Sequence, residues 1–282
     1  MPPGNLARNL EREPARKLRV ATWNINSLRL RLGLLKDLVT ALDPDVICLQ
    51  ETKVPDDLFP GEGPPALGYD HVAFRGMKGY NGVAILSRLP FKHVEFAPDW
   101  CGKGDCRHVA VELETKSGPI ELHDFYVPAG GDIPDREANP KYGHKLDFIA
   151  ETRSWFAARS NLRRTILVGD LNIAPLEHDV WSHKQLLDVV SHTPPEVEGL
   201  NAWMQAGFID AVRHFVPETE KVYTWWSYRN RDWKVANRGR RLDHVWVTPD
   251  LKQALHKHTI LTEARDWPKG SDHVPVCVEL RF

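Results

Sequence analysis

What this 282-residue chain has little of removes several classes of protein from consideration. It holds four cysteines without a framework: Cys48 and Cys277 sit inside apolar, strand-like runs, and Cys101 and Cys106 lie five apart, which fits neither a zinc pair nor a disulfide scaffold. Reduced thiols are expected. No apolar run approaches the roughly 20 residues needed to span a bilayer. The start, Met1-Pro2-Pro3-Gly4, has no basic stretch followed by an apolar one, so no secretory signal is read there and a cytoplasmic location is expected. The formal net charge is −1, so the molecule as a whole is no polycation and any nucleic-acid binding has to come from a local patch. No linker divides the sequence, and a hydrophobic share of 42% supplies a substantial core.

Residues 1–17 mix Arg, Glu, Pro and Asn without periodicity and read as a mobile tail, with one domain, residues 18–282, expected to follow. Leu18 to Trp23 is strand-like. Leucines at helical spacing from Leu28 to Leu42, closed by Pro44, predict a helix, and Val46 to Glu51 is an apolar run that ends in an acid. Short β-rich runs at 71–74, 82–87, 92–96, 108–114 and 120–127 are separated by turns carrying Gly, Pro, Asn or Asp. A helix is expected over 142–159, a strand at 165–168, and more helix at 185–190 and 196–206. Strands resume at 208–212, 223–228, 242–248 and 274–280. This order predicts an α/β fold of two sheets packed face to face with helices outside.

The strand at Thr165 stops in Val168-Gly169-Asp170-Leu171-Asn172, where Gly169 is expected to let the backbone approach a ligand and Asp170 and Asn172, two apart in extended chain, point the same way. The same design recurs at Asn24 and Asn26, at Glu51, at Asp243 and at Asp272-His273. Each has a plainer use taken singly: an Asx turn at Asp170 or Asn172, a salt bridge from Asp243 to Arg240 or Arg241, a structural hydrogen bond at His273. Five strand ends converging in one cleft suit metal-assisted phosphoryl transfer. Glu51, Asp272 and an amide oxygen would be the hard ligands Mg²⁺ prefers. His273 oriented by Asp243 would be an imidazole held in one tautomer. Asp170, beside Asn24 and Asn172, could orient an attacking water or protonate the leaving oxygen, and Asn172 could donate to a phosphate oxygen.

Eight runs, TWNINSLR (22–29), LQETK (49–53), GYNGVA (79–84), YVP (126–128), GDLNIAP (169–175), YTWWSY (223–228), RLD (241–243) and SDHVP (271–275), resemble the exonuclease III family of AP endonucleases, within the wider endonuclease/exonuclease/phosphatase superfamily. The resemblance implies a four-layer αββα sandwich of two mixed sheets. It implies a Mg²⁺-dependent phosphodiesterase, Mn²⁺ being able to substitute, that incises duplex DNA 5′ to abasic sites, removes 3′-blocking groups and degrades DNA from 3′ ends; a monomer is expected. By motif, Glu51 resembles the principal metal ligand with Asn26 and Asp272 nearby, and Asp170 resembles the acid/base. Asn24 and Asn172 resemble the phosphate-binding amides, Tyr126 the active-site tyrosine, and Asp243 with His273 the carboxylate–imidazole pair. Arg29, Lys53, Tyr80 and Asn81 would lie along the DNA backbone. Trp225 and Leu242 match positions lining a pocket for an extruded sugar.

The segment Arg229 to Arg241 holds six basic residues and one acid, interrupted by Trp233, and is the local patch that would meet phosphates and the minor groove. One departure stands out: the family has an apolar or aromatic pocket residue where this chain has Arg240. Two rival readings use the same scaffold. One is a phosphatase or phosphodiesterase for lipids, inositol phosphates or RNA; the other is a catalytically inactive DNA-binding protein.

Overall fold

A computed structural model describes residues 17–96 and 98–282. Its strands are β1 (Lys17–Asn24), β2 (Val46–Gln50), β3 (His71–Arg75), β4 (Val83–Ser87), β5 (Phe91–Glu95), β6 (His108–Thr115), β7 (Gly118–Tyr126), β8 (Thr165–Asp170), β9 (Ile209–Asp210), β10 (Asp243–Val247), β11 (Leu255–Ile260) and β12 (Val276–Arg281). One six-stranded sheet runs β11-β12-β1-β2-β4-β3 and the other β5-β6-β7-β8-β10-β9. Each is mixed, with one parallel pair: β1 with β2, and β7 with β8. The expected tail lies outside the described residues except for Lys17, which opens β1.

Side chains alternate along a strand, so each buried strand feeds two layers. Val20, Cys48, Leu122, Ile166, Val168 and Val245 meet between the sheets. Their neighbours Trp23, Ile47 and Leu49 turn outward under Leu35 and Leu38 of the helix Leu34–Leu42. Phe125, Leu167 and Trp246 turn outward on the other side, under Phe148 and Phe156 of the helix Pro140–Ala157 and Trp203 of the helix Pro194–Met204. Each such aliphatic or aromatic side chain contributes roughly 1.5–3 kcal/mol by leaving water. The result is the four-layer αββα sandwich expected. Both long helices start where the sequence signals it. Asn139 accepts from Lys141 N ahead of Pro140, and Thr193 with Glu196 forms a capping box around Pro194.

Several local expectations change. The helix predicted over 28–42 breaks into Leu28–Arg31 and Leu34–Leu42 around Gly33, a residue that weakens a helix interior by about 1 kcal/mol. The helix predicted at 185–190 is His183–Leu186. The strand predicted over 208–212 is cut to two residues, because Asp210 accepts from Val212 N and Arg213 N and starts a helix. Residues 223–228 join no ladder; Trp225 makes isolated bridges to Arg240 and to His273 instead. Strand β11 had no signal, since its His256 and Lys257 are exposed at a sheet edge and its apolar alternation is lost. Gly169 serves a neighbouring strand and not a ligand: a Cβ there would run into the backbone carbonyl of Phe125.

Candidate active site

Strand register assembles the site. Across β7, β8 and β10 it sets Tyr126 opposite Asp170 and Asp170 opposite Asp243, three polar side chains in a row. In the other sheet Asn24 ends β1 opposite Gln50, with Glu51 next in the chain, and Asp272-His273 leads into β12 on the far side of β1. Tyr126, Asp170 and Asp243 each stand an even number of residues from a core side chain between the sheets (Leu122, Val168 and Val245), and Asn24 stands four from Val20. The period that buries the core therefore brings both rows to the same end of the sandwich, facing each other.

Asn24 joins the rows: its Nδ2 donates to Asp170 Oδ2 at 2.8 Å and to Glu51 Oε1 at 3.0 Å. The Tyr126 hydroxyl donates to the same Glu51 oxygen at 2.9 Å. Lys53 Nζ pairs with Glu51 Oε2 at 2.7 Å and donates to Asn26 Oδ1 at 2.6 Å. Asn26 Nδ2 in turn donates to Asp272 Oδ1 at 2.9 Å, while Trp225 Nε1 donates to Asp272 Oδ2 at 3.0 Å. Asn172 donates to Asp170 twice, through its backbone N at 3.0 Å and Nδ2 at 3.1 Å. His273 sets Nδ1 against Asp243 Oδ2 at 2.9 Å and Nε2 toward Asp170 Oδ2 at 3.7 Å. Thr224 Oγ1 donates to the same Asp243 oxygen at 2.6 Å and fixes the carboxylate that orients the ring. Asn26, Glu51, Lys53 and Asn172 all have φ between 47° and 54°, a left-handed conformation costing about 1–3 kcal/mol for residues such as Glu and Lys. Ser27 N on Glu51 O at 2.8 Å and Lys53 N on Asn81 O at 2.9 Å hold that backbone in place.

Burial and pairing divide the titratable groups. Asp170 is 1% exposed, and burial pushes its pKa up to about 7 against the opposing pull of His273. Burial alone would lower His273, but Asp243 and Asp170 outweigh it and raise the imidazole to about 10, so it is a cation at neutral pH. For Glu51 the burial penalty is overcome by Lys53 and Asn24, and for Asp272 by His273, Asn26 and Trp225, so both stay below the ordinary carboxylate range. Tyr126 is pushed up, by burial first and by Glu51 next, and remains a protonated donor.

Two donor sets could hold a metal ion. Asp170, Asp243 and His273 each present a ligand atom within 4.8 Å of the others. Glu51, Asn26 and Asp272 offer oxygen alone, which suits a hard divalent cation better than imidazole does. The Lys53 ammonium resting on Glu51 and Asn26 is direct evidence that this pair attracts positive charge.

The other expected residues are spread more widely. Arg29 is exposed on the helix Leu28–Arg31, and Tyr80 is 59% exposed. Asn81 is 5% exposed and braces a loop, its Nδ2 donating to Asp105 O at 2.9 Å, so it offers little to a passing strand. Lys53 is spent on Glu51. Leu242 is buried among Ala174, Val180 and Leu186. Arg240 is not a solvated loop residue: its Nη1 donates to Val190 O at 3.0 Å and Ser191 Oγ at 2.7 Å, and its guanidinium lies over the Trp225 ring. Arg241 pairs with Asp179 and Asp210 and not with Asp243. A groove of about 600 Å³ runs past Glu51, Asn172, Trp225, Arg240, Asp272 and His273.

Two supporting groups had no place in the sequence reading. Lys145, fully buried, pairs with Glu196 and donates to Asn172 O at 2.8 Å and Ala129 O at 3.3 Å. Glu196 accepts from Ser191 N at 2.9 Å, so one ion pair ties together three loops that line the groove. A signal existed: Lys145 falls on the apolar stripe of Tyr142, Ile149 and Phe156, where a lysine needs a partner. Arg107 stacks over Tyr126 at 4.8 Å from its ring centroid and donates to its carbonyl.

A family model described as Endonuclease/Exonuclease/phosphatase family matches residues 21–273. Exodeoxyribonuclease III of Haemophilus influenzae is 31% identical over 94% of this chain and 100% of its own length. An AP endonuclease from Archaeoglobus fulgidus superposes with a TM-score of 0.85 at 31% identity, covering 93% of this chain and 98% of that one. The 3′ phosphatase NExo from Neisseria, solved with a product DNA hairpin, gives 0.84 at 28% identity over 94% of this chain and 100% of that one. With its polar residues gathered where two mixed sheets end together, the chain belongs to the endonuclease/exonuclease/phosphatase family, in the exonuclease III branch of AP endonucleases.

Proposed function

We propose that this chain is a metal-dependent DNA repair phosphodiesterase that incises duplex DNA 5′ to abasic sites and trims 3′ ends, with 3′→5′ exonuclease and 3′-phosphatase activity. The observation that carries the reading is the meeting of Asp170, Asn24, Glu51 and Tyr126 with the Asp243–His273 pair. The DNA substrate comes from what the relatives act on, and from Arg229 and Arg238 of the basic segment, which line the groove; Arg241 is buried against Asp179 and Asp210, and Lys234 is paired with Asp266.

Asp170 can both take and give a proton near neutrality, and its lone pairs are aimed by Asn24 and Asn172. A water held against it would attack phosphorus, passing a proton to Asp170 as the bond to the 3′ oxygen breaks. A proton then returns to that oxygen, leaving a 3′ hydroxyl and a 5′ phosphate. His273 is already protonated, so its role is to hold positive charge at Nε2 toward a phosphate oxygen, and the Tyr126 hydroxyl is a second donor on that side. Glu51, Asn26 and Asp272 would hold Mg²⁺, with Mn²⁺ able to replace it; when bound, it offsets charge on the phosphate. The reading includes a single catalytic domain over residues 18–282 acting as a monomer on DNA in the cytoplasm, associated with the nucleoid when it does so.

End-labelled duplexes test it: one abasic, one with a 3′ phosphate, one undamaged and one RNA–DNA hybrid, each with Mg²⁺ and with EDTA. Cleavage 5′ to the lesion that EDTA abolishes is expected. Inactivity on every DNA substrate beside hydrolysis of an inositol phosphate would move the chain to the rival reading.

A further inference from the structure

Arg240 and Arg241 stand side by side ahead of β10 and are treated oppositely. Arg241 is fully buried and neutralised, with Nε and Nη2 on Asp179 at 2.7 and 2.9 Å and Nη1 on Asp210 at 2.6 Å. Arg240, its side chain drawn into the groove wall, pairs with no carboxylate among the described residues. Its hydrogen bonds run through Nη1 to Val190 O and Ser191 Oγ, both neutral, and its Nε is buried with no partner at all. The acid whose field reaches it, Glu196, is already paired with Lys145. Arg240 stays partly exposed, but with one nitrogen buried and unbonded and no counter-ion its guanidinium is incompletely satisfied, and a ligand that brings an anion would complete it.

We infer that Arg240 is a specificity-determining residue that receives the second negative charge of a 3′-terminal phosphomonoester, favouring 3′-phosphate ends over abasic sites. The inference rests on the proposed nuclease function and asks what differs between its two substrates. In an internal diester the phosphorus carries one charge, and its fourth oxygen leads to the neutral deoxyribose of the abasic nucleotide. In a 3′ monoester that oxygen ends the chain and is ionised at neutral pH, the second pKa of such a phosphate being about 6. Arg240 lines the same groove as His273, with Trp225, Leu242 and Ser191, so an anion bound there would have both cations within the groove. It also crosses from the Trp225 ring, 5.3 Å from the centroid, to the 190–191 loop, and so occupies space beside Trp225, a residue that the family resemblance assigns to the pocket for an extruded sugar. A guanidinium matches an oxyanion through a fork of N–H donors, and matches a sugar poorly.

The test compares the full-length wild type with Arg240→Gln and Arg240→Lys in Mg²⁺, on paired duplexes that differ only in carrying a 3′ phosphate or an abasic site. For Arg240→Gln the ratio of kcat/KM on the 3′ phosphate to that on the abasic duplex should fall about tenfold to a hundredfold, the usual worth of a hydrogen bond to a charged group. Arg240→Lys should fall less, and inorganic phosphate should inhibit Arg240→Gln more weakly than it does the wild type. An unchanged ratio, or equal loss on both duplexes with unchanged phosphate inhibition, would overturn the inference and make Arg240 a brace for the 190–191 loop. Were Arg240→Gln to misfold, Arg240→Met, which also removes the charge while keeping an unbranched side chain, is put through the same comparison with the same outcomes. A wild type that cuts neither duplex would instead defeat the functional reading itself.

Discussion

Replacing Asp170 by asparagine should separate catalysis from stability in opposite directions. The carboxylate accepts from Asn24 Nδ2, Asn172 N and Asn172 Nδ2 and faces His273, yet it is 1% exposed. Holding its ionised form there costs about 4 kcal/mol, from a pKa of about 7 against an ordinary 3.8 at about 1.4 kcal/mol per pH unit. The sign is that of a raised acid: the fold is favoured when Asp170 is protonated and loses stability as pH rises from about 4 to about 7. Asparagine removes that penalty but turns an NH₂ toward one donor, which returns about 1–3 kcal/mol, and it deprives the His273 cation of one of two carboxylates. A Tm equal to the wild type or a few degrees above it is expected at pH 7.5. The chemical step should slow by about 10²–10⁴, or about 2.7–5.4 kcal/mol in the barrier, because the proton acceptor is gone. Single-turnover cleavage of abasic duplex at saturating enzyme, beside a thermal melt, measures both. A Tm lowered by more than about 5 °C with cleavage within threefold of wild type would refute the reasoning and make Asp170 a cap for the turn at Asn172.

Glu51→Gln should move the Mg²⁺ titration of activity to higher concentration while leaving DNA affinity in EDTA unchanged; an identical titration curve would remove Glu51 from the metal site. Lys145→Met leaves Glu196 charged and fully buried and should cost about 3–5 kcal/mol in urea unfolding, more than half of it recovered by adding Glu196→Gln. Recovery by less than a quarter would mean the pair is not coupled as described. His273, raised by its carboxylates, should add stability that is complete below about pH 6.5 and disappears as pH rises through about 10. The difference in unfolding free energy between wild type and His273→Gln should therefore shrink from pH 7 to pH 10, and a difference that grows would reverse the sign of the argument.

Tyr126, Asp170, Asp243 and Asn24 were legible because they continue the alternation of apolar strands: Ile166 and Val168 point the way to Asp170, and Val20 to Asn24. Glu51 and His273 fall out of step with the inter-sheet side chains of their strands and were legible only as polar residues at strand ends. Partners across the fold were not legible. Trp225 bonding to Asp272, Lys145 lying behind Asn172 and Arg240 reaching Ser191 join residues 27 to 49 apart, and one sequence carries no signal for such pairs. Asn81 illustrates a different gap. Its motif suggests contact with DNA, but its left-handed turn, with φ of 55°, buries the amide against Asp105 O, and burial depends on packing that propensity does not describe. Strand β11 shows that an exposed edge can pair along most of its length, broken only by an irregularity between Leu255 and Lys257, while lacking the apolar rhythm by which strands are recognised.

The shared parity of core and site has a consequence for how such a chain can change. Tyr126, Asp170 and Asp243 are the continuations of Leu122, Val168 and Val245, so the count of residues between them is what aims each side chain. Substituting Val168 by another aliphatic residue leaves that count intact. Inserting a single residue into β8 would leave its ladder partners available yet turn Asp170 out under the helices, beside Leu167, and bring Leu171 to the cleft. Length within these strands is thus fixed more tightly than composition, whereas the turns at their opposite ends are free to grow. Divergence in this architecture should be written as insertions at the end away from the groove, with the strands themselves aligning without gaps.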